Sequence, residues 1–315
     1  ITNCTSRLAM KEITIHAPAT VANVGCGYDT IGFALDDIYE EIKVSKRQDN
    51  QLVIQSIEGG ELSYNTDENV ATIAAKALLD HLDDASGFDF HIKKFFKPGS
   101  GLGSSASSAA GAVYGVNQLV EKPLETAELL PFALEGEAYA SKCYHADNVA
   151  PSLLGGFIVL RSYDPIDWFS LPIADELKVL IIRPSVEIKT ADAKGLLPET
   201  LSIPTARNQW GNLASLVHAF HTKDWDRLNH SIEDLIAEPM RKSLIPGYEH
   251  MKTIAKSNQS VGFNISGSGP SMFMLFIDKA NLQKSRNEVQ EYYHQEGIAC
   301  DFFESKMSEQ GCKAV

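Results

Sequence analysis

The stretch best suited to chemistry is the run at residues 97–111, which reads Lys-Pro-Gly-Ser-Gly-Leu-Gly-Ser-Ser-Ala-Ser-Ser-Ala-Ala-Gly. Its glycines permit backbone angles and close approaches that a side chain would forbid. Ser104 and Ser105 are expected to cap the helix that follows, so that its first N–H groups point outward. Such a helix N-terminus attracts anions, and the small residues after it leave room for a large one. The run is therefore predicted to bind the phosphates of a nucleotide.

Two familiar glycine motifs do not describe this run. A P-loop requires Gly-Lys followed by Ser or Thr, and that tripeptide does not occur in the chain. A dinucleotide fingerprint requires G-x-G-x-x-G, but Gly103 follows Gly101 one residue too early and Pro98 opens the loop. For the run alone, a small-residue linker leading into a packed helix is the alternative interpretation.

The composition limits the kinds of protein that could use such a loop. The chain has 315 residues, 44% hydrophobic and 22% charged, as in a globular protein of one large or two medium domains. Its net charge of −13 disfavours binding to nucleic acid or to an anionic membrane. No run is apolar enough to span a bilayer, and no signal peptide is expected. Five scattered cysteines without a C-x-x-C pair disfavour zinc and indicate reduced thiols in the cytoplasm.

Hydrophobic periodicity places the glycine run between a strand and a buried helix. Residues 88–92 alternate like a strand, and the residues after the run are apolar on nearly every side up to about residue 119. Strand and helix patterns alternate in both halves of the chain, which predicts layers of α+β type. Other predicted elements are strands at 13–17, 31–35 and 39–44, the last two joined by a turn at residues 36 and 37, and helices at 70–81, 189–197, 208–221, 225–236, 247–257 and 282–295.

A domain boundary is predicted in the proline-bounded segment 165–172. It divides the chain into a first domain of residues 10–168 and a second of residues 169–315. Residues 1–9 show no pattern, whereas a strand-like pattern begins at Met10. We therefore expect residues 1–9 to be an N-terminal extension that precedes the natural start.

Two further loops complete a set of three motifs. Residues 18–29 read Pro-Ala-Thr-Val-Ala-Asn-Val-Gly-Cys-Gly-Tyr-Asp, and residues 265–271 read Ile-Ser-Gly-Ser-Gly-Pro-Ser. With the central run, and in this order, they resemble the motifs of the GHMP kinases, and segments 142–151 and 238–246 resemble the homoserine kinases within that family. The resemblance spans about residues 11–303. It implies the two-domain GHMP kinase architecture, with a first domain like ribosomal protein S5 and a ferredoxin-like second domain.

The resemblance also implies the reaction and the nucleotide site. ATP would lie in the cleft and phosphorylate the hydroxyl of L-homoserine, on the way to threonine. Ser105 and Glu137 are implied to reach Mg²⁺, a hard ion that takes few protein oxygens, and a solvated helix carboxylate is the alternative for Glu137. Asn69 and Val70 are implied to contact adenine. The implied ATP-binding set is Asn69, Val70, Pro98, Gly99, Ser100, Gly101, Leu102, Gly103, Ser104, Ser105, Ala106 and Gly267.

An amino-acid acceptor offers a carboxylate, an ammonium group and a hydroxyl. Arg241 can bind the carboxylate through two parallel hydrogen bonds. Family members have a second arginine, whose place here is taken by Lys194, a point charge that cannot form the same pair of bonds. Asp29 is the implied partner of the ammonium group, with Asn23 near the hydroxyl. Ordinary surface cations, and loop Asx residues that bond their own backbone, are the alternatives.

The residues leave open whether the reaction uses a general base. His145 and Asp147 are candidates, although His145 fits equally well as a residue that shapes the substrate pocket. Homoserine kinases resemble one another in having an asparagine, here Asn148, at the carboxylate position. We favour positioning, with Mg²⁺ and the helix dipole polarising the phosphoryl group. The implied catalytic set is thus Glu137, Ser105, Asp147 and Asn148.

Two other functions fit the same motifs. A GHMP kinase for another small molecule would give Arg241 and Asp29 no role in amino-acid binding. A non-catalytic ligand sensor on the same scaffold would bind ATP without turnover, since fold does not dictate function. The expected partners are ATP and L-homoserine, without nucleic acid or membrane. Fold analogy adds a homodimer formed through residues 247–257 and the closing helix.

Overall fold

The computed structural model describes residues 11–186 and 195–315, which form two β-sheets with helices packed against them. The first sheet has seven strands in the order β11-β1-β2-β4-β3, with β5 also paired to β2 and β6 to β5. Only β3 and β4 are parallel among these pairs. The strands are β1 (Glu12–Ala22), β2 (Ile31–Lys46), β3 (Leu52–Glu58), β4 (Phe88–Lys94), β5 (Phe157–Tyr163), β6 (Ile166–Leu171) and β11 (Lys313–Ala314).

The predicted strand pair at 31–35 and 39–44 is wrong, because β2 is one continuous strand. β1 pairs with β2 on both sides of the acidic segment, opposite Ala34 and opposite Tyr39. Residues 35–38 lie between these two paired stretches and shift the register of β2 against β1. Among them, Asp37 has a left-handed φ of 58°. A hairpin turn does not form, because β1 supplies hydrogen-bonding partners to both halves of β2 and the extra residues bulge out.

The helices of the first domain pack on this sheet. They are α1 (Val70–Leu82), α2 (Ser104–Leu119), α3 (Leu130–Ser141), which follows a 3₁₀ turn, and α4 (Ala146–Leu154). As predicted, α2 is central and buried: it lies on β1 and β2 and contacts the other three helices. The helix can approach β2 closely because Gly115 has no side chain. A Cβ at this position would lie 2.7 Å from the side chain of Val44, too close for an ordinary contact. This packing fixes the start of α2 relative to the sheet.

The second sheet has four antiparallel strands in the order β10-β7-β9-β8. These are β7 (Lys178–Pro184), β8 (Gly262–Ile265), β9 (Met272–Phe276) and β10 (Cys300–Ser305). The helices in the described residues of this domain are α5 (Ile203–Thr222), α6 (Trp225–Ser231), α7 (Glu238–Arg241), α8 (Tyr248–Ser257) and α9 (Lys279–Gln295). Helical crossovers after β7 and β9 with this strand order make the unit ferredoxin-like, as the resemblance implies.

The helix predicted at 225–236 is shorter than expected, because α6 ends at Ser231. The Asp234 carboxylate accepts hydrogen bonds at 2.8 to 3.1 Å from the backbone N–H groups of Ile236, Ala237 and Glu238. An acidic side chain that collects these donors competes with a continued helix and holds the N–H group of the first residue of α7. The resulting turn brings the end of α7 towards the first domain.

The two sheets share an apolar core. The Phe33 ring of β2 lies 5.6 Å from that of Phe157 and 6.3 Å from that of Phe273 in the second sheet. The boundary predicted after residue 168 falls within β6, whose whole length pairs with β5, and β11 returns the C-terminus to the first sheet. The boundary stays a prediction.

Some predictions fall where the structure gives no description. The extension at residues 1–9 and most of the helix predicted at 189–197 lie outside the described residues. Among the described helices, none combines the length and the apolar character needed to cross a membrane.

Candidate active site

A cleft of about 330 Å³ lies where the starts of α2 and α4 meet the β1–β2 and β8–β9 loops. Most of the predicted site residues line it. Leu102 and Ala106 do not, because their side chains are buried in the hydrophobic cores, and Lys194 lies outside the described residues. The predicted residues that line the cleft are Asn23, Asp29, Asn69, Val70, Pro98, Gly99, Ser100, Gly101, Gly103, Ser104, Ser105, Glu137, His145, Asp147, Asn148, Arg241 and Gly267.

The serine caps predicted for α2 are wrong. The N-cap is Gly103, with a left-handed φ of 68°, and no side chain of the described chain caps the helix. Only glycine fits here, since a Cβ would lie 2.2 Å from Oγ1 of Thr20. The first N–H groups of α2 therefore face the cleft without a side-chain partner, as an anion site requires.

Ser104 instead belongs to a buried ionic network that the sequence reasoning missed. Lys94 Nζ donates to Glu40 Oε1 at 2.7 Å, to Ser104 Oγ at 2.8 Å and to Ser108 Oγ at 2.9 Å. Both serine hydroxyls donate to Glu40 at 2.6 Å. The network ties the first turn of α2 to β2 and β4. The signal was available, because Glu40 and Lys94 occupy inward positions of their strands, in phase with buried apolar residues.

Glu137 projects from α3 into the cleft and is only 4% exposed, so it is not a solvated carboxylate. Its Oε1 lies 3.1 Å from His145 Nδ1. Burial disfavours the imidazolium, but the hydrogen bond to Glu137 and the charges of Asp147, Glu137 and Asp29 outweigh burial and raise the pKa of His145 to about 9. A histidine protonated at neutral pH suits charge neutralisation better than it suits general-base work.

Asp147 is the other buried carboxylate of the cleft. It lies in the first turn of α4, and its Oδ1 accepts no hydrogen bond from the described residues. Burial, followed by the charge of Asp29, raises its pKa well above the usual range for an aspartate. A buried acceptor without a donor indicates a place for a ligand, since native proteins rarely leave such groups unpaired.

The oxygens of Ser105, Glu137 and Asp147 suit a magnesium ion. All three residues line the cleft, and Oδ1 of Asp147 has no hydrogen-bond donor among the described residues. Within residues 11–186 and 195–315, no three His, Cys, Asp or Glu side chains gather as a metal cage. Mg²⁺ does not need one, because it takes one or two protein carboxylates and keeps water and phosphate oxygens as its other ligands.

The opposite wall is organised around the carbonyl oxygen of Gly267. It accepts a hydrogen bond from Asn23 Nδ2 at 3.0 Å and another from Arg241 Nη1 at 3.1 Å. Asn23 Oδ1 accepts from the backbone N–H of Asp29 at 3.0 Å, so both ends of its amide hold the loop. Arg241 is 4% exposed, which excludes an ordinary surface cation. A buried guanidinium and the carboxylate of Asp29 in the same cleft fit a zwitterionic ligand.

Tyr28 is a cleft residue to which the sequence reasoning gave no role, although it lies in the first motif. The Arg241 guanidinium carbon lies 5.4 Å from the centre of its ring. Burial, with the Asp29 charge, raises the pKa of Tyr28 to about 12, so its hydroxyl remains a donor. The ring restricts the plane in which Arg241 can present its N–H groups.

Asn69 and Val70 line the far end of the cleft at the start of α1. Asn69 caps that helix: its Oδ1 accepts from the N–H of Ala71 at 3.0 Å, and its Nδ2 donates to the carbonyl oxygen of Ser63 at 2.9 Å. Its amide is thereby engaged in holding the wall of the cleft.

Comparisons with known proteins agree with this arrangement. Residues 69–156 match the family model of the GHMP kinase N-terminal domain, and residues 216–295 match that of the C-terminal domain. A homoserine kinase of Chlorobium phaeobacteroides is 36% identical over 320 residues, which cover 97% of this chain and 100% of the relative. The crystal structure of homoserine kinase from Cytophaga hutchinsonii has a TM-score of 0.96 at 39% identity, covering 99% of this chain and 100% of that one. The L. major mevalonate kinase in complex with R-mevalonate shares the fold, with a TM-score of 0.71 at 15% identity over 93% of this chain and 95% of that one.

Proposed function

Because the chain belongs to the GHMP kinases and, within them, to the homoserine kinases, we propose that it transfers the γ-phosphoryl group of ATP to the hydroxyl of L-homoserine. The product is O-phospho-L-homoserine, an intermediate on the way to threonine. The observation that carries the proposal is the cleft itself. In it, uncapped helix amides and buried carboxylates face a buried arginine that suits an amino-acid carboxylate.

The triphosphate is proposed to lie on the start of α2. Backbone N–H groups of residues 99–106 would hold its oxygens, and the buried network of Lys94 and Glu40 keeps these groups in place. Adenine is proposed to lie against Asn69 and Val70. Phosphoryl transfer depends mainly on such positioning and charge stabilisation, with little covalent help from the protein.

Ser105 and Glu137 are proposed to hold Mg²⁺. When bound, the ion neutralises charge on the phosphates. His145, hydrogen-bonded to Glu137 at 3.1 Å, keeps that carboxylate oriented. Its positive charge also offsets the negative charges of Glu137, Asp147 and Asp29. Local positive charge of this kind helps a chain of net charge −13 to bind a triphosphate.

The amino acid is proposed to bind on the opposite wall. Arg241 takes the carboxylate, Asp29 the ammonium group and Asn23 helps to fix the loop near the hydroxyl. Lys194 is proposed as the second cation for the carboxylate in place of an arginine. A lysine there gives attraction without a fixed plane, so the orientation of the carboxylate depends more on Arg241.

The chemical step is proposed to proceed by positioning. The substrate oxygen forms the new bond to phosphorus as the bond to ADP breaks, and the hydroxyl proton passes to an oxygen of the transferred phosphoryl group. Asn148 holds the hydroxyl, and Asp147 shapes the field around it. The competing route gives the proton to Asp147, whose raised pKa would suit a base.

Asp147→Asn distinguishes these routes. Under positioning, kcat is expected to fall less than about tenfold, because no proton passes through the carboxylate, whereas a lost general base costs roughly 10²–10⁴-fold. Steady-state kinetics with a thermal melt of the same sample measure this. A loss of the larger size with an unchanged melting temperature would assign the base to Asp147.

We propose that the activity takes place in the cytoplasm. Cys26, Cys300 and Cys312 are free thiols, and free thiols fit a reducing compartment. The partners proposed are the two small substrates, with a homodimer as the assembly. Light scattering of the purified protein measures the latter.

ADP release with Mg-ATP and homoserine, mevalonate, galactose or shikimate tests the function. Turnover with homoserine alone is expected, and Glu137→Gln is expected to abolish it while homoserine still binds. Turnover with another alcohol would identify a different small-molecule kinase. ATP binding without turnover on any acceptor would favour the sensor.

A further inference from the structure

Thr20 of β1 contacts Asn148 of α4 although it has no place in the proposed machinery. The threonine is completely buried, and its Oγ1 lies 2.8 Å from Oδ1 of Asn148. Its backbone N–H is used separately, by the carbonyl oxygen of Leu102 at 3.1 Å. The side-chain contact therefore joins only the hydroxyl and the amide.

With the amide oxygen of Asn148 facing Thr20, the direction of this hydrogen bond follows. An amide oxygen carries no proton and can only accept, so the threonine hydroxyl donates. The NH₂ group of Asn148 is then turned to the other side of the planar amide. Asn148 lines the cleft, so its NH₂ group is within the site where a ligand would bind.

The pair lies directly against the phosphate-binding loop. A Cβ on Gly103 would lie 2.2 Å from Thr20 Oγ1 and 2.8 Å from Asn148 Oδ1. The contact is thus packed onto Gly103, the N-cap of α2, and the first N–H groups of that helix are the proposed phosphate site. A wrong orientation of the Asn148 amide would therefore change the hydrogen bonding at the point where the phosphoryl group and the acceptor hydroxyl meet.

We propose that Thr20 is a positioning residue that locks the Asn148 amide with its NH₂ group facing the acceptor hydroxyl. Asn148 then donates to the hydroxyl oxygen and cannot accept its proton. The hydroxyl proton is left to point elsewhere, and the oxygen is held for attack on phosphorus. This rests on the proposed function, because it names how the same site orients its acceptor.

Thr20→Val keeps the shape of the side chain and removes the donor. The amide can then rotate, and kcat with homoserine is expected to fall about 10–100-fold, the cost of a misplaced reacting group, with KM for ATP changed less than about twofold. Thr20→Ser retains the hydroxyl and is the matched control, with kcat expected within about threefold of the wild type. Equal losses in both variants would overturn the proposal.

A double-mutant cycle separates positioning from a general structural role. If Thr20 acts through Asn148, Thr20→Val is expected to lower kcat in the wild type but to add nothing in Asn148→Ala. A structural role would lower kcat in both backgrounds. Asn148→Asp tests the direction of the bond, because it replaces the donor with an acceptor, and kcat is expected to fall at least about 100-fold. An Asn148→Asp enzyme as fast as the wild type would refute the donor role.

Failure of the proposed function would appear first, in the wild type, as absence of homoserine-dependent turnover. The cycle would then be run with whichever acceptor of the panel turns over. If none does, the wild-type protein would be crystallised, and neutron diffraction would locate the amide deuterons of Asn148 directly. Deuterons facing the cleft would support the proposal, and deuterons facing Thr20 would overturn it.

Discussion

Arg241 shows how a single side chain is prepared before a ligand arrives. One of its N–H groups is held by the carbonyl oxygen of Gly267 at 3.1 Å, and the ring of Tyr28 lies against the guanidinium. The group is nearly buried, so folding has already removed much of its hydration and fixed its position. A ligand that supplies this carboxylate gains affinity because less ordering is left to be done on binding.

Arg241→Ala is therefore expected to raise KM for homoserine by about 10–100-fold, the range for a charged hydrogen-bonding partner, and to leave KM for ATP unchanged. Initial rates with each substrate varied in turn measure both constants. Lys242→Ala removes the same charge one residue away, where the lysine pairs with Glu249 at the surface. If Lys242→Ala raised KM as much, net charge and not carboxylate binding would be responsible.

His145 makes the site sensitive to high pH. Its pKa is raised from 6.5 to about 9 in the folded protein. Since the folded protein holds the proton more tightly, the stabilisation is complete below about pH 6.5 and is lost as the pH rises through about 9. The difference in melting temperature between the wild type and His145→Gln is expected to shrink from pH 7 to pH 10. Thermal melts at both values check this, and a constant difference would contradict the raised pKa.

At the scale of elements, the start of α2 is the feature on which the site depends. Its position is set by the buried network with Glu40 and Lys94, and its approach to α4 is set by the absence of a side chain at Gly103. Because every member of the network is satisfied, the geometry is specified tightly. The helix can thereby present its amides with little rearrangement when a phosphate binds.

Two glycines of the loop allow two reasons for needing glycine to be tested separately: a left-handed backbone conformation and the close approach of a neighbouring side chain. Gly99 and Gly103 have φ values of 71° and 68°, but a Cβ would meet nothing within 4 Å at Gly99. Gly99→Ala is expected to cost about 1–2 kcal/mol in the free energy of unfolding, from the left-handed conformation alone. Gly103→Ala also forces Thr20 and Asn148 apart, and kcat/KM is expected to fall at least about 100-fold. Urea denaturation and kinetics on both variants measure these effects, and equal kinetic losses would contradict the role of close approach.

At the scale of the whole molecule, the two ends of the described chain lie side by side. β11 pairs with β1, the strand that leads into the first motif loop, and Cys312 is buried in the core of the first domain. The first sheet is therefore completed only when residues 313–314 have joined β1. Its stability depends on contacts across nearly the full length of the chain, which adds to the loop-closure cost of folding.

Deletion of residues 312–315 is expected to lower the free energy of unfolding by about 2–4 kcal/mol, from lost core burial and strand pairing. Equilibrium urea denaturation followed by circular dichroism measures it. Lys313→Ala keeps the strand and changes only an exposed side chain, so it is the control and is expected to stay within about 0.5 kcal/mol. An equally stable truncated protein would show that β11 contributes nothing to the fold.

The sequence by itself determined the three motif loops, the buried helix after the glycine run and the α+β alternation, because each is written in local spacing. Two predictions from local sequence signals were wrong because residues distant in the chain supply other hydrogen-bonding partners. The turn expected at residues 36 and 37 was absorbed by pairing with β1, and the expected serine cap was lost because Ser104 bonds to Glu40 and Lys94.

Only the tertiary structure decided which polar groups face one another. Thr20 and Asn148 lie far apart in the chain, as do Asn23 and Gly267, and no local pattern links either pair. The protonation of His145 and the burial of Asp147 likewise depend on neighbours from several elements. The physical reason is that hydrogen bonding and desolvation act through space, whereas periodicity reports only which side of an element is buried.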